Sequence, residues 1–243
     1  MLLAANPSRL RLDLGHHATV IDDRDGNAAG DVDGDETLRL VRAQVQACRA
    51  AHDRLLGQIA ALTDATARAP STLPDWSVGH VLTHIARNGD SVVHLSRAVS
   101  AGGVADQYPG GPAQRTGDIE AGAGRPAAEL VADVRAVNAH VHTAWQELSD
   151  DHWLMGQVRT ASGRVMPASY LPAMRWREVV VHTSDLGLPG GSWKQWPEDF
   201  VAAELPGLLE MLAAGLDADK ARALVAQLMG RRDEPLALPA VMW

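Results

Sequence analysis

The chain is dominated by one pattern: apolar residues recurring three or four positions apart, in long stretches separated by breaks rich in glycine and proline. That period places the apolar side chains on one face of an α-helix, so each stretch must bury a stripe against a neighbouring helix. Leu38, Val41, Val45, Cys48, Ala51, Leu55, Ile59 and Leu62 predict a first helix over roughly 36–67. Ser77 is a natural N-cap for a second, over roughly 77–100. Leu130, Val134, Val137, Val141 and Trp145 mark a third, over roughly 126–148. Pro172 suits the first turn of a fourth, which runs to Gly187. The glycine-rich stretch 101–124 reads as a long loop, and Gln157–Met166 as a hairpin around Ser162-Gly163. Four helices joined by loops of uneven length predict a mainly α protein, a four-helix bundle over 35–187. Residues 1–34 are expected to be a disordered tail, because the Asp- and Gly-rich stretch there offers little apolar surface. Residues 188–243 form a short C-terminal region with two further helical stretches, over roughly 197–214 and 217–230.

Charge and cysteine content narrow the function. The formal net charge is −8, which argues against nucleic acid or an anionic membrane surface as partner. No apolar run approaches the ~20 residues of a membrane span. Cys48 is the only cysteine, so there is no intramolecular disulfide and no cysteine-rich zinc site. It falls on the apolar stripe of the first helix and reads as a core residue. A cytoplasmic protein acting on a small molecule is the expectation.

Two segments carry chemistry: WSVGHVLTHIARN (76–88) and RWREVVVHTSDL (175–186). Glu178 and His182 are four apart, one helical turn, on the same face. Such a pair is either a surface contact or two ligands of one metal. His80 and His84 are also four apart, but the helical wheel separates them. Val78, Val81, Leu82, Ile85 and Val92 define the buried direction. His84 lies at its border and His80 points away, as a solvated histidine would. His84, Glu178 and His182 together supply two imidazoles and one carboxylate from two helices. Three protein ligands with an open position is the layout of a catalytic zinc site. The same composition suits iron(II).

The longer segment PDWSVGHVLTHIARNGD (74–90) resembles the second-helix signature of mycothiol-dependent maleylpyruvate isomerases, members of the DinB-like bundle superfamily. RWREVVVHTSDL resembles their fourth-helix motif, and LVAQLMGR (224–231) their closing segment. The resemblance implies a DinB-like four-helix bundle in which His84, Glu178 and His182 bind a divalent metal, usually zinc. It makes Arg231 the candidate catalytic residue, one that helps to bind the substrate or the thiol. It implies mycothiol as the thiol cofactor, whose thiolate adds to the cis double bond of maleylpyruvate. Rotation about the resulting single bond and elimination then give fumarylpyruvate. A mycothiol S-transferase, or a metal-binding module without catalysis, would share the same ligand set. The family's C-terminal domain contains strands, whereas the residues after Gly187 here read as helical.

Overall fold

A computed structural model of the chain describes residues 29–229, 231 and 237–239. The protein is mainly helical. One compact unit spans Gly26–Trp196, and a second holds Pro197–Trp243. The expected tail falls largely outside the described residues, since 1–28 are not among them.

The first helix, α1 (Ala29–Gln58), begins and ends earlier than its apolar pattern suggests. Its end is set by Thr63, whose hydroxyl accepts the backbone N–H of Thr66 at 3.2 Å and starts a separate short helix, α2 (Asp64–Arg68). A threonine that can cap competes with continuation of the helix it follows. Next comes α3 (Val78–Ser100), with Ser77 as N-cap. It is the most buried element, with Val81, Leu82, Ile85, Val92, Leu95 and Val99 in the core.

The stretch 101–124 corrects the sequence reading. Its second half is a helix, α4 (Gly111–Ala123), packed on α3. Gly102 and Gly111 turn the chain at positive φ, whereas Gly122 serves close approach to α3. A Cβ on Gly122 would sit 2.5 Å from Thr83 Cγ2, and one on Gly79 would sit 2.2 Å from the carbonyl oxygen of Ala123. Pro112 in the first turn and the buried Ile119 and Ala123 complete the helix.

The bundle continues with α5 (Ala127–Gln146), the short α6 (Asp150–Met155), and a two-stranded antiparallel hairpin. In it β1 (Gln157–Arg159) pairs with β2 (Val165–Pro167), Val158 opposite Met166. Gly163 turns the hairpin at φ 82°, close to where the sequence places it. Then α7 (Leu171–Asp185) closes the bundle. Helices α1, α3, α5 and α7 are its four members: α3 packs on α5 and α7, and α1 on α7 and α5.

One side chain ties all four together. Arg175 of α7 is fully buried. Its Nε donates to His52 Nε2 on α1 at 3.1 Å, and one terminal nitrogen donates to the Ile85 carbonyl (2.7 Å) and Asn88 Oδ1 (2.9 Å) on α3. The other terminal nitrogen donates to Asn138 Oδ1 on α5 at 2.9 Å. Arginine only donates, so His52 Nε2 accepts and the His52 proton sits on Nδ1, facing His142 Nε2 at 3.0 Å.

This network makes the fold acid-sensitive. Burial, then Arg175, His142 and Arg49, push the His52 pKa far below its ordinary value. Burial and Arg49 lower His142 to about 4. Both imidazoles are therefore neutral when folded but titrate near 6.5 when unfolded. Their stabilisation is complete above the unfolded value and is lost as pH falls below it, down to about 4 for His142 and further still for His52. The melting temperature is expected to drop already between pH 6.5 and 5, above the carboxylate range, with a shallower drop for His142→Asn. A melting temperature flat across that window would refute the assignment.

The second unit contains α8 (Glu198–Gly215) and α9 (Ala218–Leu228), the latter capped by Asp217, which accepts the Lys220 N–H at 2.8 Å. Among the described residues after Trp196 there is no strand. Among the described residues no helix is long and apolar enough to cross a membrane.

Candidate metal centre

Helices α3 and α7 pack together and bring His84, Glu178 and His182 to one point. His84 is buried although it is polar, and the other two are partly buried. One ligand atom from each of the three lies within 4.8 Å of the others. His84 Nε2 is 3.0 Å and His182 Nε2 is 3.4 Å from the same oxygen, Glu178 Oε2. The two imidazole rings meet edge to face, centroids 4.5 Å apart. Among the described residues this is the one such cluster of histidine, cysteine and carboxylate groups.

The local sequence explains the placement. His182 follows Glu178 by one turn, so both point the same way from α7. Asp185 follows His182 by three residues, and its Oδ2 accepts the His182 Nδ1 proton at 2.8 Å. That bond fixes the ring and leaves Nε2 facing Glu178, the role a carboxylate plays behind a metal-bound histidine. Asp185 is itself held, because its backbone carbonyl accepts the Thr72 N–H at 2.9 Å. The Trp76 ring lies edge-on to His84, centroids 5.7 Å apart.

Electrostatics follow from this packing. Burial raises the Glu178 carboxyl pKa, but the hydrogen bonds from His182 and His84 outweigh it and hold the group well below the usual carboxylate range. Burial lowers the His182 pKa, but Asp185 and Glu178 outweigh it and raise it to about 9. Burial dominates at His84 and lowers its pKa, against the pull of Glu178. The carboxylate is thus ionised and has two imidazoles pointed at one of its oxygens. Two nitrogens and one oxygen around one point are a donor set suited to zinc.

His80 takes no part in the cluster. It is not a solvated histidine either: its Nδ1 accepts the Ser77 N–H at 3.1 Å while Ser77 Oγ accepts the His80 N–H at 3.3 Å. This is a capping box with histidine in the place of the usual glutamate. Arg231 is exposed, and its guanidinium donates to the Met229 carbonyl at 3.2 Å.

Sequence reasoning missed Asp185 and also Arg115 of α4, whose terminal nitrogen donates to His84 Nδ1 at 3.0 Å. Its guanidinium also lies over the Tyr108 ring, 5.7 Å from the centroid. The available signal was Arg115, Ile119 and Ala123 at four-residue spacing, which is helical.

The sequence profile of the mycothiol maleylpyruvate isomerase N-terminal domain family matches residues 48–187. The chain belongs to that family. Its fold is similar to a crystal structure of the mycothiol-dependent maleylpyruvate isomerase, with 26% sequence identity and a TM-score of 0.62, over 79% of this chain and 76% of that one. A crystal structure of a histidine-to-alanine mutant of a mycothiol-dependent maleylpyruvate isomerase is similar at 25% identity and the same TM-score and coverage. A search of curated proteins found no match. The four-helix bundle and its family, expected from the two motifs, are thus both found.

Proposed function

We propose that this chain is a metal-dependent enzyme that uses a low-molecular-weight thiol, mycothiol, to isomerise maleylpyruvate to fumarylpyruvate. The observation that carries the reading is the convergence of His84, Glu178 and His182 within 4.8 Å in a chain of this family. His84 Nε2, His182 Nε2 and a Glu178 oxygen would hold a divalent ion, zinc by its donor set. When bound, such an ion supplies a thiol of lowered pKa, and so a thiolate at neutral pH. Asp185, accepting the Nδ1 proton, orients the His182 ring so that Nε2 would face the ion. Glu178, ionised and partly buried, contributes the negative charge that a cation there requires. Trp76 shields one side of His84. A cytoplasmic setting, where small thiols are kept reduced, fits this chemistry and the buried free Cys48.

Arg231 is assigned to a substrate carboxylate, on the resemblance of the 224–231 segment. A guanidinium fork matches a carboxylate and would not be a metal ligand. Arg231→Ala is therefore expected to lower kcat/KM by about 2 kcal/mol while keeping the metal. Full turnover by that variant would remove Arg231 from the reaction.

The test of the function is metal analysis of the purified protein, followed by turnover of maleylpyruvate with and without mycothiol. Metal at about one per chain and isomerisation that depends on catalytic mycothiol are the expected results. Consumption of the thiol into a stable adduct would make the chain an S-transferase. A loaded protein inert toward both reactions would make it a metal-binding module.

A further inference from the structure

The Arg115–His84 contact constrains what this centre does when it is loaded. A guanidinium has donors and no acceptor, so His84 Nδ1 must offer a lone pair at the 3.0 Å separation. The proton of the neutral ring is then on Nε2, directed at Glu178 Oε2. A metal on Nε2 needs the lone pair of that nitrogen, so the proton of the neutral imidazole must then be on Nδ1. Nδ1–H and the arginine N–H are both donors and cannot share a hydrogen bond. The Arg115–His84 bond and a metal-bound His84 are mutually exclusive.

Arg115 is partly buried. Among the described residues no carboxylate pairs with it, and its partners are His84 and the face of the Tyr108 ring. Once His84 gives up its acceptor, a partly desolvated guanidinium is left beside the cluster with only an aromatic face to rest on. Such a group calls for an anion, and its planar fork favours a carboxylate. Gly79 and Gly122 at the contact of α3 and α4 let the two backbones approach closely.

We propose that Arg115 is a carboxylate-binding residue of this site, placed beside the cluster to receive a substrate carboxylate when His84 holds a metal. This inference rests on the metal reading of His84, Glu178 and His182.

The experiment is calorimetric titration of maleate, a simple cis-dicarboxylate, into the zinc-loaded full chain, as wild type, Arg115→Met and Arg115→Lys. Bound zinc is measured in every sample. In the loaded state Arg115→Met should bind maleate at least tenfold more weakly than wild type, at equal zinc content, with Arg115→Lys in between. Equal maleate affinity of the loaded wild type and loaded Arg115→Met overturns the inference while leaving the metal reading standing. A wild-type chain that takes up no zinc overturns the metal reading, and this inference with it.

Discussion

His182→Ala protein is expected to leave purification with almost no divalent metal, and the wild type with about one ion per chain. His84→Ala should behave alike. The cluster has three donors on two helices, and removing either imidazole leaves one nitrogen and one carboxylate oxygen for the ion. Two donors do not hold zinc against dialysis at the concentrations used in purification. Activity should disappear with the metal. Asp185→Asn keeps all three donors but loses the carboxylate behind His182 at 2.8 Å. It should retain the site with an affinity lowered about 10- to 100-fold. His80→Ala is the control. It removes the capping-box partner of Ser77 and should cost about 1 kcal/mol of stability with no loss of metal. Full occupancy in both His84→Ala and His182→Ala would show the site to be elsewhere. Loss of metal in His80→Ala alone would show that the wrong histidine of the pair was chosen.

The cluster was legible because its residues sit on long helices whose apolar stripes define a direction. Glu178 and His182 share a face through simple periodicity, and the border position of His84 follows from the valines and leucines around it. The helices α3, α5, α7, α8 and α9 were legible for the same reason, with bounds within a few residues of those expected. What stayed hidden depended on tertiary contact. Glycine is a turn signal in isolation, so α4 read as loop. A Cβ on Gly122 would sit 2.5 Å from Thr83 Cγ2, a constraint that exists only once α3 and α4 are packed. Arg115 was lost along with that helix. Thr63 is one polar residue in a continuing apolar pattern, and only its bond to the Thr66 N–H shows that it starts a new helix. Asp185 was within reach, three residues past a histidine already singled out. His80 was placed outside the cluster by the wheel, but its capping role needed the Ser77 geometry.

Arg175→Ala is expected to have the largest effect on stability of any single substitution considered. The residue lies one turn before Glu178, inside a motif noticed for its ligands, and it is fully buried without a hydrogen-bonded carboxylate partner. Burial lowers its pKa, and neutral acceptors stabilise the charge: one imidazole nitrogen, one backbone carbonyl and two amide oxygens, from three other helices. Truncation strands those acceptors and opens a cavity at the bundle centre. Each buried unsatisfied group costs about 1–3 kcal/mol, and the cavity adds to that. Partial relaxation makes the terms less than additive, so a net loss of about 4 kcal/mol is a fair expectation. That is a large share of the ~5–15 kcal/mol that holds an ordinary domain folded. The melting temperature should fall by about 10 °C. Arg175→Lys should recover little, because a single ammonium cannot reach three helices in the fork geometry. The loss should reach the metal as well, since α7 carries Glu178 and His182 and its rotation relative to α3 is set by the Asn88 and Ile85 bonds. An Arg175→Ala protein that melts within 2–3 °C of wild type, a shift on the order of 1 kcal/mol, would show that packing of the apolar stripes alone fixes the bundle, and the buried guanidinium would then need another reason to be there.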